Sequence, residues 1–203
     1  MRRTKEAALE TRAKILESAL DIFSEKNFSN ASLTEIAANV GLTKGALYWH
    51  FRNKNDLLLR LVKETCKIGE DGVKNAFDAP DSTGKLRMYY KGALSRITKD
   101  DRHKKIHKIM QKRDEWPEDI QESVWRIIKS SLDREKAMVE KFILKGQEEG
   151  RFRKDLSPKA LAVLISSIFH GLCVMQLSGM LPAEFPQYTD ILFDAFEKEL
   201  NAK

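Results

Sequence analysis

Apolar residues recur every three or four positions along most of this chain, and the breaks between those stripes mark out about nine helices. Ile15, Leu16, Ala19, Leu20 and Phe23 stripe the first, from about Ala8 to Lys26. Asn27 to Ala31 reads as a turn that packs Phe28 back inward. Ser32-Leu33-Thr34-Glu35 has the capping-box pattern: the Ser32 hydroxyl accepts from the Glu35 amide, and the Glu35 carboxylate reaches back to the Ser32 amide. Ile36, Ala37 and Val40 share one face of the short helix that follows, and Gly41 stands where a left-handed residue ends it. Thr43 is placed to N-cap a second short helix, Lys44 to Phe51, whose Leu47 and Phe51 turn inward with Ile36, Val40 and Leu42. The small Ala37 lets the two helices approach closely.

Leu57, Leu58, Leu61 and Val62 open a longer helix from Lys54 to about Ala76, with no flexible linker before it. Ala79-Pro80-Asp81-Ser82-Thr83-Gly84 is a loop by composition. Helices follow from Lys85 to Lys99, from about Arg102 to Glu115, and from Glu118 to Glu149, the last striped by Val124, Ile127, Ile128, Leu132, Val139, Phe142 and Ile143. Ser157-Pro158 starts another that runs to about Met180, and a final one extends from Ala183 or Glu184 to Leu200. No strand pattern, internal repeat or low-complexity tract appears. The expected fold is all-α, with a three-helix helix-turn-helix domain over residues 1–54 and a larger helical domain over residues 55–203. The helix from Lys54, shared by both, is the expected lever between them.

The two short helices leave Thr43, Lys44, Gly45, Tyr48, Trp49 and His50 outside, a face more aromatic than solvation requires. The arrangement reads as a helix-turn-helix whose second helix enters the DNA major groove. A helix hairpin with Tyr48 and Trp49 buried as core fits the same spacing. The residue string itself separates the two readings. LTEIAANVGLTKGALYWHFRNKNDLL resembles the signature of the TetR family of bacterial transcriptional regulators, including Leu47-Tyr48-Trp49-His50-Phe51 and Asn53-Lys54. The resemblance reaches back through TKEAALETRAKILESALDIFSEKNF, which is similar to the AcrR/TtgR branch of multidrug-efflux operon repressors. It covers roughly the first quarter to third of the chain; length and helical pattern cover the rest.

The resemblance implies a ligand-responsive repressor that binds a palindromic operator in double-stranded DNA as a homodimer and is released by a small hydrophobic effector. Carried over to this sequence, Lys44 donates to guanine or phosphate, and Gly45 and Ala46 keep that end of the helix narrow. Tyr48 and Trp49 face thymine methyls, His50 and Lys54 clamp phosphates, and Thr34 and Thr43 add hydroxyls at helix N-termini. Candidate effector contacts in the larger domain are Trp116, Trp125, Phe142, Phe169 and His170, with Phe77, Tyr89, Tyr90 and Gln147 behind them. The last two helices are the expected dimer interface: Leu161, Leu164, Ile165, Ile168, Leu172 and Met175 are apolar, and Ser166, Ser167, Gly171 and Gly179 permit close approach. A helix-turn-helix protein whose C-terminal domain binds another protein instead of a small molecule is the alternative.

Composition adjusts this picture only slightly. The net charge of +6 invites a nucleic-acid partner, yet residues 1–60 hold ten Lys and Arg against seven Asp and Glu, while residues 85–115 hold eleven against four. Most of the excess therefore lies outside the expected DNA reader, apart from a basic arm of Arg2, Arg3 and Lys5. The surplus near residue 100 is a solvated face or favours an anionic effector. Cys66 and Cys173 form no CxxC pair and read as reduced thiols. His103 and His107 are four apart among lysines with no third ligand, so no metal is expected; nor is a cofactor. The apolar run from Ala160 to Met180 is interrupted by Ser166, Ser167, His170, Gly171, Gln176 and Ser178, and no signal segment precedes the first helix, so a cytoplasmic protein without a membrane span is expected. No GxSxG, phosphate-cradling Gly loop or Cys/His arrangement marks an enzyme.

Overall fold

A computed structural model of the chain describes residues 2–78, 84–182 and 184–201, with the side chains of all of these except 2–4, 78, 86, 98, 186 and 187. Among the described residues the stripes become nine α-helices: α1 (Arg2–Asn30), α2 (Leu33–Asn39), α3 (Lys44–Tyr48), α4 (Lys54–Asp78), α5 (Lys85–Lys99), α6 (Asp101–Met110), α7 (Glu118–Glu148), α8 (Pro158–Leu177) and α9 (Phe185–Leu200). A 3-10 turn at Arg113–Glu115 takes up the end of what the sequence reads as a longer sixth helix. The one β pairing described is an isolated antiparallel bridge between Phe152 and Asn201, so the fold is all-α as expected. The basic arm lies partly outside the description: α1 begins at Arg2, and of the three basic residues only the side chain of Lys5 is described, exposed. The loop expected at Ala79 to Gly84 falls on residues 79–83, outside the described residues, as does Ala183.

The chain forms two compact units, Met1–Cys66 with Asp101–Ile128, and Lys67–Asp100 with Lys129–Lys203. The first is built on Ile15, Leu20 and Phe23 of α1, Ile36 of α2, Leu47 of α3, Phe51, and Leu57, Leu58 and Leu61 of α4, all fully buried. Each such side chain contributes about 1.5–3 kcal/mol by leaving water. Ile106 and Ile109 of α6 and Trp116, Ile120 and Val124 join the same core. Ion pairs of Arg102 with Glu17 and Glu64, and of Lys105 with Asp21 at 2.9 Å, tie α6 to α1 and α4. Part of the basic surplus near residue 100 is thereby neutralised within the molecule.

One backbone position in α1 is strained. Asn27 sits at φ 67°, ψ 157°, inside a segment that is otherwise helical, where the sequence places a turn. This conformation costs a side-chain-bearing residue about 1–3 kcal/mol, of which glycine recovers all but its own unfolded-state entropy. Asn27→Gly is expected to raise the unfolding free energy by about 1 kcal/mol in urea denaturation, and a neutral or destabilising result argues that Asn27 is held without strain.

The second unit packs an aromatic core. Tyr90 meets Phe169 with ring centroids 4.5 Å apart, and Phe77 stacks on Phe142 at 4.8 Å. Gln147 is spent on structure: its Nε2 donates to Arg153 O at 2.8 Å and Leu156 O at 2.9 Å, holding the turn after α7. Burial, with the Glu135 carboxylate adding, pushes the Cys173 thiol up to about 12, which makes it an inert core residue. Contrary to the expectation, α8 is long and apolar enough by length and composition to cross a membrane. Ala162, Ile165, Ser166, Phe169 and Cys173 on one of its faces are buried in the unit.

Candidate nucleic-acid interface

The reader is set by local chemistry. Glu35 N donates to Ser32 Oγ at 3.2 Å and Ser32 N donates to Glu35 Oε2 at 3.2 Å, so the capping box opens α2. Lys26, first, and Ser32 hold the Glu35 carboxyl below its usual range, keeping it an acceptor. At the other end Gly41 takes φ 70°, which lets Gly41 N reach Ala38 O at 3.0 Å and Leu42 N reach Ala37 O at 2.9 Å, a Schellman close. Thr43 Oγ1 then accepts from Ala46 N at 3.1 Å and starts α3. The reading helix is shorter than the expected Lys44 to Phe51. Trp49 N and His50 N bond three residues back, to Ala46 O and Leu47 O, and this tightening ends α3 at Tyr48.

The fold sorts the predicted DNA contacts by exposure. Thr34, Thr43, Lys44, Gly45, Tyr48 and Trp49 are exposed, while Ala46, His50 and Lys54 are half-buried. Trp49 is 88% exposed, and Tyr48 is exposed beside it with Lys44 Nζ 6.0 Å from its ring, whereas Leu47 and Phe51 are buried. The alternative that Tyr48 and Trp49 form core is therefore excluded. Lys54 differs from the phosphate clamp expected of it: Nζ donates to Ser29 O at 3.0 Å and Ala31 O at 3.1 Å, beneath the Phe28 ring. Burial holds its ammonium below the usual lysine range.

A residue the sequence reading passed over supports α3 from behind. Arg12 Nη1 donates to His50 O at 2.6 Å, and its guanidinium lies 4.2 Å over the Phe51 ring, so α1 caps the end of the reading helix. Replacing it with leucine is expected to weaken operator binding about tenfold and to lower the unfolding free energy by about 1–2 kcal/mol, through loss of a charged hydrogen bond. Fluorescence anisotropy and urea denaturation check this; an unchanged affinity removes Arg12 from the positioning of α3.

The candidate effector residues divide between the two units. Trp116 packs edge-to-face on Phe28 at 5.7 Å in the core of the first unit, and Trp125 in the same unit is exposed with Arg113 5.7 Å above its ring. Phe142, Phe169 and His170 belong to the second unit, where His170 Nε2 lies 3.2 Å from Glu135 Oε2. Glu135 and Ser166 were legible as anomalies, polar residues inside apolar helical stripes, and the sequence reading assigned them no ligand role.

Comparison with known proteins agrees with this geometry. Residues 15–61 match the profile of bacterial regulatory proteins of the tetR family. The HTH-type transcriptional regulator TtgR of Pseudomonas putida is 29% identical over 96% of this chain and 95% of its own. The HTH-type transcriptional regulator AcrR of Shigella flexneri is 30% identical over 96% of this chain and 93% of its own. The fold is that of SmeT of Stenotrophomonas maltophilia in its triclosan complex, with a TM-score of 0.77 at 21% identity over 93% of this chain and 90% of that one. A reader of this construction, within a chain matched along nearly its whole length by such regulators, belongs to the tetR family of bacterial regulatory proteins, which are DNA-binding transcription factors and not enzymes.

Proposed function

We propose that this regulator represses an efflux operon, holding a palindromic operator until a small hydrophobic effector releases it. TetR-family repressors bind operator DNA as dimers and respond to small-molecule effectors. SmeT is a repressor of a multidrug efflux pump and has been solved with triclosan, which supports the same output and effector class here, ahead of a protein partner for the C-terminal region. The observation that carries the DNA reading is the exposed Tyr48–Trp49 pair on a helix whose N-terminus is capped and whose inner face is buried. In this reading Lys44 and the α3 N-terminus meet base edges or phosphate, Tyr48 and Trp49 meet thymine methyls, and Thr34, Thr43 and His50 meet the backbone. Gly45 and Ala46 leave room for the groove. Lys54, with two of its three N–H groups already engaged, acts first as a support for α3 and α4.

The proposed dimer interface is formed by α8 and α9. Along α8, Val163, Leu164, Ser167, Gly171, Val174 and Met175 make an exposed stripe of apolar and small residues opposite its buried face. That stripe is rotated from the expected one, since Ile165 and Ser166 are buried in their own unit. Tyr188 and Ile191 of α9 are exposed as well. A protein-covered α8 accounts for its apolarity without a membrane, and operator DNA as target supports a cytoplasmic location.

The test is anisotropy of a duplex bearing the inverted repeat nearest the gene, at two salt concentrations, with triclosan added last. Tyr48→Ala is expected to cost about tenfold or more through a lost apolar base contact, and Lys44→Ala to reduce the salt slope by about one. Salt-sensitive binding that triclosan leaves untouched speaks against release by a hydrophobic effector of this kind; binding indifferent to both substitutions removes α3 as the reader.

A further inference from the structure

We infer that a groove between the second half of α5, the end of α8 and the start of α9 binds a small organic anion, a carboxylate on a flat apolar body, with Lys99 and Gln176 holding the carboxylate. This goes beyond the effector reading above and takes a ligand of different chemistry at a different place. The groove has a volume of about 310 Å³, at the lower end of what small-molecule sites occupy, and lies wholly within the second unit. It shares no lining residue with the small apolar void that Tyr90, Phe169 and Phe193 line in the same unit. The charge that marks it is part of the surplus over residues 85–115. Folding spends much of that surplus: Arg102 and Lys105 pair with acids of α1 and α4, and Arg87 is held by Asp190, Asp194 and Glu197 of α9. Lys99 is different. It is exposed, and among the described residues its ammonium has no ion pair or hydrogen bond.

Lys91, about two turns earlier on α5, adds to the same field. It pairs with Asp190 at 2.6 Å, but that carboxylate also receives Arg87 at 3.2 Å, so one acid stands between two cations. Among the described residues no acidic side chain lines the groove. The rest of the lining decides what kind of anion fits. Gln176, half-buried on α8, has a side-chain amide without a partner among the described residues, and so offers two N–H donors beside the lysines. Leu94 is buried and Phe185 half-buried, and they give the groove an apolar wall and an aromatic face. Donors of this kind select an acceptor-only head group, and each charge-assisted hydrogen bond to it is roughly twice as strong as a neutral one. An ammonium ligand meets like charge here, and a bare inorganic anion leaves Leu94 and Phe185 uncovered.

Three probes with one ring system decide the matter: 2-naphthoate, 2-naphthylmethanol and 2-naphthylmethylamine, titrated calorimetrically at neutral pH and low ionic strength into the full-length protein. The carboxylate is expected to bind at least about tenfold tighter than the alcohol, and the amine weakest. Added salt should shrink that advantage, because Lys99 is exposed. Lys99→Gln should bring the carboxylate to the level of the alcohol, and Lys99→Arg, which keeps the charge, should retain most of the preference. Gln176→Leu should lower carboxylate affinity about threefold or more. Lys74→Gln removes the same charge from an exposed position on α4 that does not line the groove, and should change nothing. Equal binding of carboxylate and alcohol, a preference that survives Lys99→Gln, or a loss as large in Lys74→Gln overturns the site. If triclosan displaces naphthoate competitively, the groove inference fails and the effector reading stands. If naphthoate binds as expected while triclosan neither binds nor loosens the operator, the groove stands and the effector reading fails.

Discussion

Val174→Glu is expected to turn the dimer into a monomer and to cost at least about a hundredfold in operator affinity, with each protomer still folded. Val174 is 56% exposed on α8, so a glutamate there meets no core and costs little helix propensity. In a two-fold interface the same substitution enters twice and places two like charges where apolar surface was to be buried. Several kcal/mol of association energy is lost, about a thousandfold or more in the dimer constant. Operator affinity follows, because one short reading helix offers only a handful of base contacts and the second head supplies the rest. Light scattering and anisotropy measure the two effects on the same sample. Leu144→Glu, at an exposed position on α7, is the control and should leave both unchanged. A Val174→Glu protein that remains dimeric moves the interface off α8.

The reader was legible because its determinants are close in sequence. Ser32 and Glu35 are three residues apart, Gly41 ends what they begin, and Thr43 restarts the chain two positions later, so each signal acts on its own neighbours. The supports of that reader were not legible. Arg12 is 38 residues from His50 and Lys54 is 25 from Ser29, and a side chain donating to a distant carbonyl leaves no periodicity behind. The packing of the aromatic residues was not legible for a related reason. Trp116 looks the same in sequence whether it lines a cavity or, as here, fills a core against Phe28, because only tertiary packing distinguishes them. Glu135 carried a signal of a different kind. A carboxylate repeating at the spacing of Val139 and Ile143 breaks the apolar stripe it sits in, and such a break requires either a partner or a purpose.

Lys54→Met is expected to lower the unfolding free energy by about 2 kcal/mol, and Lys54→Arg by nearly as much, although arginine is the better phosphate ligand. The carbonyls of Ser29 and Ala31 lie at the end of α1, where no helical amide remains to satisfy them and the dipole favours a cation. The Lys54 ammonium fills that role at 3.0 and 3.1 Å with its head 4.6 Å from the Phe28 ring. Methionine keeps the aliphatic stem and loses the charge, so its effect isolates the ammonium; a planar guanidinium has the charge but the wrong shape for two converging carbonyls under a ring. A phosphate contact predicts the opposite pattern: arginine conserves operator affinity, methionine reduces the salt slope by about one, and neither moves stability. Urea denaturation and the salt dependence of operator binding, measured on both variants, separate a residue that holds the end of α1 in place from one that holds DNA. Stability unchanged in Lys54→Met, with the smaller slope, returns Lys54 to the phosphate contacts; loss of stability in both makes its effect on DNA indirect.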